Sequence, residues 1–114
     1  MSETVIVPEG CWLCVRYYEH DDVEASGDVR TIKDITETWG LMNENIEGFY
    51  LCDPERGECK CINEEVAREW FIWLDETGEV PYVLKDPIPW WAQNTEAFTK
   101  VWEPIAAEWM KEGW

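Results

Sequence analysis

Gly48-Phe49-Tyr50-Leu51-Cys52-Asp53-Pro54-Glu55-Arg56-Gly57-Glu58-Cys59-Lys60-Cys61-Ile62 decides the fold class. Gly48–Cys52 and Glu58–Ile62 are apolar, aromatic and thiol-rich, and they flank a turn in which Pro54 fixes φ and Gly57 supplies a left-handed residue. The stretch reads as a β-hairpin. The next segment has another period: Asn63 is placed to cap a helix over 64–76, with Val66, Trp70, Trp73 and Leu74 on one stripe and Gly78 as its stop. A hairpin followed by an amphipathic helix predicts an α+β domain.

Upstream, Val5–Val7 and Cys11–Tyr18 read as two strands around Pro8-Glu9-Gly10. Alternation in the second puts Trp12, Cys14, Arg16 and Tyr18 on one face and Leu13, Val15 and Tyr17 on the other. Ser26-Gly27-Asp28 is a turn signal, and Thr31 with Asp34 is a capping box for a short helix carrying Ile32, Ile35 and Trp39, ended by Gly40. Downstream, Val80-Pro81-Tyr82-Val83-Leu84 reads as an edge strand, because Pro cannot donate to a central ladder. Pro87 and Pro89 bend the chain before Trp90-Trp91. Asn94 is the expected cap of a last helix with Phe98, Trp102, Ile105 and Trp109 inward, kinked near Lys100–Val101 by Pro104. The expectation is α+β: a small, mostly antiparallel sheet with two to three helices packed on one side, in a single domain over residues 1–114.

The chain of 114 residues carries 25 Asp+Glu against 9 Lys+Arg, a formal net charge of −16, with 46 % hydrophobic residues. The apolar fraction excludes a disordered acidic chain. The charge argues against direct nucleic-acid binding and against docking on an anionic membrane. No apolar run reaches the ~18 residues of a membrane span, and Met1-Ser2-Glu3-Thr4 lacks the basic start of an export signal, so a cytoplasmic protein is expected. Acids run from Glu3 to Glu112 rather than forming a tail. Between Arg16 and Lys60 only Arg30, Lys33 and Arg56 interrupt them with a permanent cation.

Charge density sets a condition on what the acidity can do. Area scaling gives about 6500 Å² of folded surface, or one net charge per roughly 400 Å² if spread evenly. Duplex DNA carries one charge per about 1.7 Å of axis, roughly one per 110 Å² of surface on a ~10 Å cylinder. An even coat is too dilute to imitate DNA. Most of the carboxylates gathered on half the surface, about one per 130 Å², would be close. Phosphate mimicry therefore requires segregation, with Glu19–Asp28 and Asp53–Glu58 on one continuous face and Lys85, Lys100 and Lys111 elsewhere.

The chemistry-bearing residues do not form a catalytic set. Cys11-x2-Cys14 and Cys59-x-Cys61 offer four thiolates for zinc, but a regular strand points Cys11 and Cys14 to opposite faces. A redox Cys-x2-Cys needs a helix N-terminus, and this pair precedes or lies in a strand. Cys52 and Cys59 flank the hairpin turn and can face each other, so oxidation in vitro is expected of them without implying a role. Asp22-x-Glu24-x-Ser26-Gly27-Asp28-Val29 resembles the first half of a calcium loop, but Lys33 stands where a bidentate Glu is needed, which leaves a solvated acidic turn. His20, the only histidine, sits among Glu19, Asp21 and Asp22 with no nucleophile placed near it. There is no phosphate-binding glycine loop. No metal or other cofactor is expected in the leading reading.

Nine tryptophans exceed what a core of this size takes up. Trp70, Trp73, Trp102 and Trp109 lie on amphipathic stripes and belong to the core. Trp90, Trp91 and Trp114 lie outside them and are the candidate exposed anchors.

Small size, folded acidity, abundant aromatics and no catalytic motif resemble the acidic inhibitors that bacteriophages and mobile elements deploy against host nucleic-acid machinery: anti-CRISPR, anti-restriction and DNA-mimic proteins. The resemblance is compositional. It implies a non-enzymatic phage-type inhibitor in the host cytoplasm. Its partner would be a CRISPR effector, a restriction enzyme or another basic nucleic-acid-binding protein, met through carboxylates that stand in for phosphates. The acidic face is assigned to Glu19, Asp21, Asp22, Glu24 and Asp28, with Glu44, Glu47, Asp53, Glu55 and Glu58 next, and the aromatic anchors to Trp90 and Trp91. Two alternatives are a zinc-stabilised structural or adaptor module built on Cys11, Cys14, Cys59 and Cys61, and a carbohydrate- or cation-binding domain with Trp90 and Trp91 as a stacking platform.

Overall fold

A computed structural model describes residues 4–112. Its frame is a four-stranded antiparallel sheet in the order β2-β1-β3-β4, with β1 Trp12–Tyr17, β2 Val23–Ser26, β3 Ile46–Asp53 and β4 Glu58–Cys61. The predicted hairpin is β3–β4, with Cys52 opposite Cys59 and Tyr50 opposite Cys61. Strand β1 lies between β2 and β3, with Cys14 opposite both Ala25 and Tyr50. The expected alternation holds: Leu13, Val15 and Phe49 are fully buried under the helices, whereas Trp12 remains 46 % exposed on the other face.

Helices cover one face: α1 Ile32–Thr38, α2 Asn63–Thr77, α3 Val80–Leu84, α4 Trp90–Gln93, and a last helix made of a π-helical stretch, Phe98–Trp102, running into α5 Glu103–Lys111. The α+β reading stands, with more and shorter helical segments than the two or three expected. The α1 start is the predicted capping box. Thr31 Oγ1 accepts from Asp34 N–H at 3.4 Å, and Asp34 Oδ2 accepts from the N–H groups of Thr31 and Arg30 at 3.1 and 2.9 Å. Helix α2 stops at Gly78, whose φ of +73° is left-handed.

Four local expectations are corrected. Val5–Val7 forms no strand, because Ile6 N–H and Val7 N–H both donate to the Arg30 carbonyl, at 2.7 and 3.1 Å, rather than to a ladder. Val80–Leu84 is helical: Pro81 sits in the first turn, where its missing N–H has no helical partner to lose, and Val80 and Val83 bury on one side. Asn63 does not cap α2. Its Oδ1 accepts from Phe49 N–H at 2.7 Å, and its amide lies over Gly48, where a Cβ would come within 3.1 Å of it. Asn94 ends α4 instead of starting the last helix. That start is made by Thr95, whose Oγ1 accepts from Phe98 N–H at 3.3 Å, and by Glu64 of α2, whose two carboxylate oxygens accept from Glu96 and Ala97 N–H at 2.7 Å each. Pro104 has no N–H for the Lys100 carbonyl, and the turn before it is π-helical, with Glu103 N–H reaching back to Phe98 O.

Sheet and helices are joined by a chain of ring contacts. Phe49 of β3 meets Trp91 edge-on at 4.7 Å, Trp91 stacks on Trp70 at 5.6 Å, Trp70 on Phe71 at 5.4 Å, and Phe71 meets Trp102 at 5.2 Å. The Trp91 indole N–H donates to the Leu41 carbonyl at 3.0 Å, so its polar edge is satisfied inside the core.

Replacing Trp91 by Phe removes that hydrogen bond and part of the ring volume, and is expected to cost about 1–3 kcal/mol in urea unfolding. Trp90→Ala, one residue away and on the surface, is expected to change stability by less than about 0.5 kcal/mol. The N–H groups of Thr31 and Arg30 hold the Asp34 carboxyl below its ordinary value of 3.8. The folded state thus binds that proton less readily than the unfolded one. Its contribution to stability is present above pH 3.8 and fades as pH falls through the lowered value. Asp34→Asn should flatten that part of the acid-unfolding profile.

Candidate acidic interface

The β1–β2 connection turns in one short segment, Glu19–Asp21, closed by Asp22 N–H to Glu19 O at 3.4 Å. His20 (φ 63°) and Asp21 (φ 51°) are both left-handed, the signs of a type I′ turn, which the right-handed twist of the hairpin favours and which Asn-Gly fills without strain. This turn docks on the segment before β3: Tyr18 N–H donates to Asn45 O at 2.9 Å and Glu19 N–H to Asn45 Oδ1 at 3.1 Å. Arg16 then reaches Glu47 Oε2 at 3.3 Å and Asp21 Oδ1 at 3.9 Å. Asp22 and Glu24 line a polar cleft with Tyr17, Val23, Asn43 and Asn45. Glu19, Asp21, Asp22, Glu24, Glu44 and Glu47 therefore gather at one end of the sheet, with Arg16 the cation bound among them. Burial and the neighbouring Glu24 carboxylate push the Tyr17 hydroxyl up to about 12, because both disfavour a second negative charge there.

The other nominated acids lie elsewhere. β1 runs antiparallel to β3, so Tyr17 pairs with Ile46 at one end and Trp12 with Cys52 at the other. The hairpin tip with Asp53, Glu55 and Glu58 is consequently about 20 Å from the β1–β2 turn, six residues of strand at ~3.4 Å each. Asp28 is on the tip's side, near Trp12 and Arg30. The single continuous acidic face expected over Glu19–Asp28 and Asp53–Glu58 is thus two groups at opposite ends of the sheet. The second is the more mixed: Arg56 Nε lies 3.8 Å from Asp53. Lys85, Lys100 and Lys111 sit on the helical layer, where Lys100 pairs with Glu96 at 3.1 Å and Lys111 with Glu108 at 3.8 Å.

Among the tryptophans the structure separates neighbours. Trp90 is 63 % exposed, but Trp91 is 1 % exposed and belongs to the core, so neither an anchor at Trp91 nor a Trp90–Trp91 stacking platform exists. Trp114 lies outside the described residues. Sequence reasoning missed Trp12, which stands on the open sheet face and packs on Gly27, where a Cβ would come within 3.3 Å of its ring. Its alternation with Leu13 was the available signal.

The proposed zinc set does not converge. Cys11 packs against the core, while Cys14 is on the open face and its sulfur lies 3.2 Å from that of Cys52, a residue outside the set. Among the described residues no group of three or more His, Cys, Asp or Glu side chains is arranged to hold a metal ion. The calcium-loop spacing is drawn out straight, since Val23–Ser26 is a strand. Among the described residues no helix is long and apolar enough to cross a membrane.

Fold and surface define a small α+β domain with an uncovered sheet face and an acidic end. No family model, curated protein or solved structure matches the chain.

Left-handed non-glycine residues cost about 1–2 kcal/mol each. Asp21→Gly is therefore expected to raise the unfolding free energy by about 1 kcal/mol, read from the urea midpoint at constant slope.

Proposed function

We propose that the chain acts without catalysis, as an acidic inhibitor that covers the basic nucleic-acid-binding surface of another protein, in the manner of DNA-mimic, anti-restriction or anti-CRISPR proteins. The observation that supports this reading is the cluster at the β1–β2 end, where Glu19, Asp21, Asp22, Glu24, Glu44 and Glu47 gather and Arg16, the one Lys or Arg among them, is held by Asp21 and Glu47. Of the two acidic groups it is the one with the higher ratio of acids to bound cations. Asp21 keeps 87 % of its side chain in solvent even though Arg16 lies 3.9 Å away, so its charge is presented outward. Such a patch steers a cationic partner over a Debye length and orders it at contact. The second acidic group, at the β3–β4 tip, stands about 20 Å away along the sheet, so in place of the one continuous face that a close imitation of duplex DNA needs, a partner would be met at two separate points. The reading requires no cofactor, and its place of action is the host cytoplasm.

The test is immobilised protein, a bacterial lysate, and elution by duplex DNA or RNA. Captured nucleic-acid-binding proteins that elute with nucleic acid are expected. The Asp21→Lys, Asp22→Lys, Glu24→Lys triple should abolish capture, and the Glu96→Lys, Glu103→Lys, Glu112→Lys triple should leave it nearly intact. Association with the captured partner should slow steeply between 0.01 and 0.15 M salt, as the Debye length falls from about 30 to 8 Å. Equal loss in both triples, or capture that nucleic acid does not compete, would overturn the reading.

A further inference from the structure

The register that builds the sheet also sorts the cysteines. Cys14, Cys52, Cys59 and Cys61 share the open face, away from the helices, and Cys11 alone packs toward the core. All five are thiols. Cys14 and Cys52 lie on neighbouring strands with sulfurs 3.2 Å apart, against about 2.05 Å in a disulfide. On its other side Cys52 is directly opposite Cys59. Ile62 N–H donates to Phe49 O, so Phe49 and Ile62 are a hydrogen-bonded pair. Alternation along β3 then makes Cys52 and Cys59 a non-hydrogen-bonded pair, whose Cα atoms approach to about 4.5 Å, within the span a disulfide bridges. Cys52 thus has a thiol partner on each neighbouring strand. The exposures are graded: Cys59 is exposed, and Cys52 and Cys14 are half-buried.

We propose that Cys59, Cys52 and Cys14 form a thiol–disulfide exchange site for low-molecular-weight disulfides of the glutathione type, ending in a Cys14–Cys52 bridge between the two central strands. The Cys59 thiolate attacks one sulfur of the small disulfide; the S–S bond breaks, one small thiolate leaves and takes up a proton, and a mixed disulfide stands at Cys59. The Cys52 thiolate attacks the Cys59 sulfur and releases the second small thiol, giving a Cys52–Cys59 bond. Cys14 then attacks the Cys52 sulfur, and Cys59 leaves as a thiolate that recovers a proton. Two protein thiols are oxidised and one small disulfide is reduced to two thiols. The last step moves the bond from an exposed to a half-buried position, where reducing thiols have less access. Burial pushes the Cys52 thiol up, and the hydrogen bond to Cys52 pushes Cys59 up, so the exchange runs on a small thiolate fraction near neutral pH.

The experiment treats the full chain with glutathione disulfide, traps remaining thiols by alkylation and maps tryptic peptides. Lys60 separates Cys59 from Cys61 and Arg56 separates Cys52 from Cys59; Cys11 and Cys14 share the peptide that ends at Arg16, and fragmentation between them, with Cys11→Ser beside it, tells them apart. Wild type is expected to yield linked peptides containing Cys14 and Cys52, and Cys11→Ser the same. Cys14→Ser should stop at Cys52–Cys59. Cys59→Ser should reach the Cys14–Cys52 bridge about tenfold more slowly, because the exposed attacking thiol is gone. Linkage through Cys11 or Cys61, a glutathione adduct that persists at Cys59, or thiols that all remain alkylatable would overturn the proposal. Wild-type mapping alone decides between these outcomes if the half-buried Cys14→Ser variant does not fold.

Discussion

The fold rests on one packed seam, in which the Trp91 ring lies between Phe49 on the sheet and Trp70 on α2, with its N–H held by the Leu41 carbonyl. The sheet offers the helices few apolar side chains on its two edges. β4 is exposed at all four positions and β2 is no more than half-buried at any. Cohesion between the layers therefore falls on the central strands and on large rings able to bridge from them. Trp91 reaches Phe49, and Trp70, Phe71 and Trp102 carry the contact outward to the last helix. Burying each ring removes some 150–250 Å² from water, which is how a sheet this small holds a helical layer broader than itself.

This seam also shows what was legible in the sequence. Signals that act within a few residues read correctly: the Thr31–Asp34 box, the Pro54–Gly57 turn, the Gly78 stop and the alternation Trp12 to Tyr17. Those that depend on a distant partner did not. Asn63 and Asn94 both look like caps, yet the first is occupied by Phe49 N–H and the second is displaced by Glu64 from another helix. Val80–Leu84 has strand-forming residues, but its proline suits a first helical turn equally well, and packing of Val80 and Val83 settled it. Trp90 and Trp91 are neighbours without a surrounding stripe, so nothing local says which ring faces inward. The candidate site was legible in its residues and not in its layout. The acids were identifiable, but antiparallel pairing of β1 with β3 parts them. Cys52 was visible in the hairpin, but its contact with Cys14 crosses 38 residues.

The molecule is two-sided. The helical layer carries Lys85, Lys100 and Lys111, two of them paired with nearby acids, yet between Asn63 and Glu112 eleven Asp and Glu outnumber four Lys and Arg. The sheet layer carries carboxylates at both ends, with Trp12 and the thiols between them. Exposed strand edges invite pairing with other chains. Here they are four residues long, and one, β2, carries Glu24 and follows directly on Asp22, carboxylates that repel a second copy of the same edge. That charge keeps the β2 edge from pairing with a copy of itself.

The carboxylate of Glu64 clasps the backbone of Glu96 and Ala97 across more than thirty residues of chain. One side chain of α2 therefore sets where the last helix begins, and a helix that looks local in sequence has its boundary fixed from a distance. A change at Glu64 acts away from its own helix: it leaves two backbone donors at the start of the last one without their acceptor.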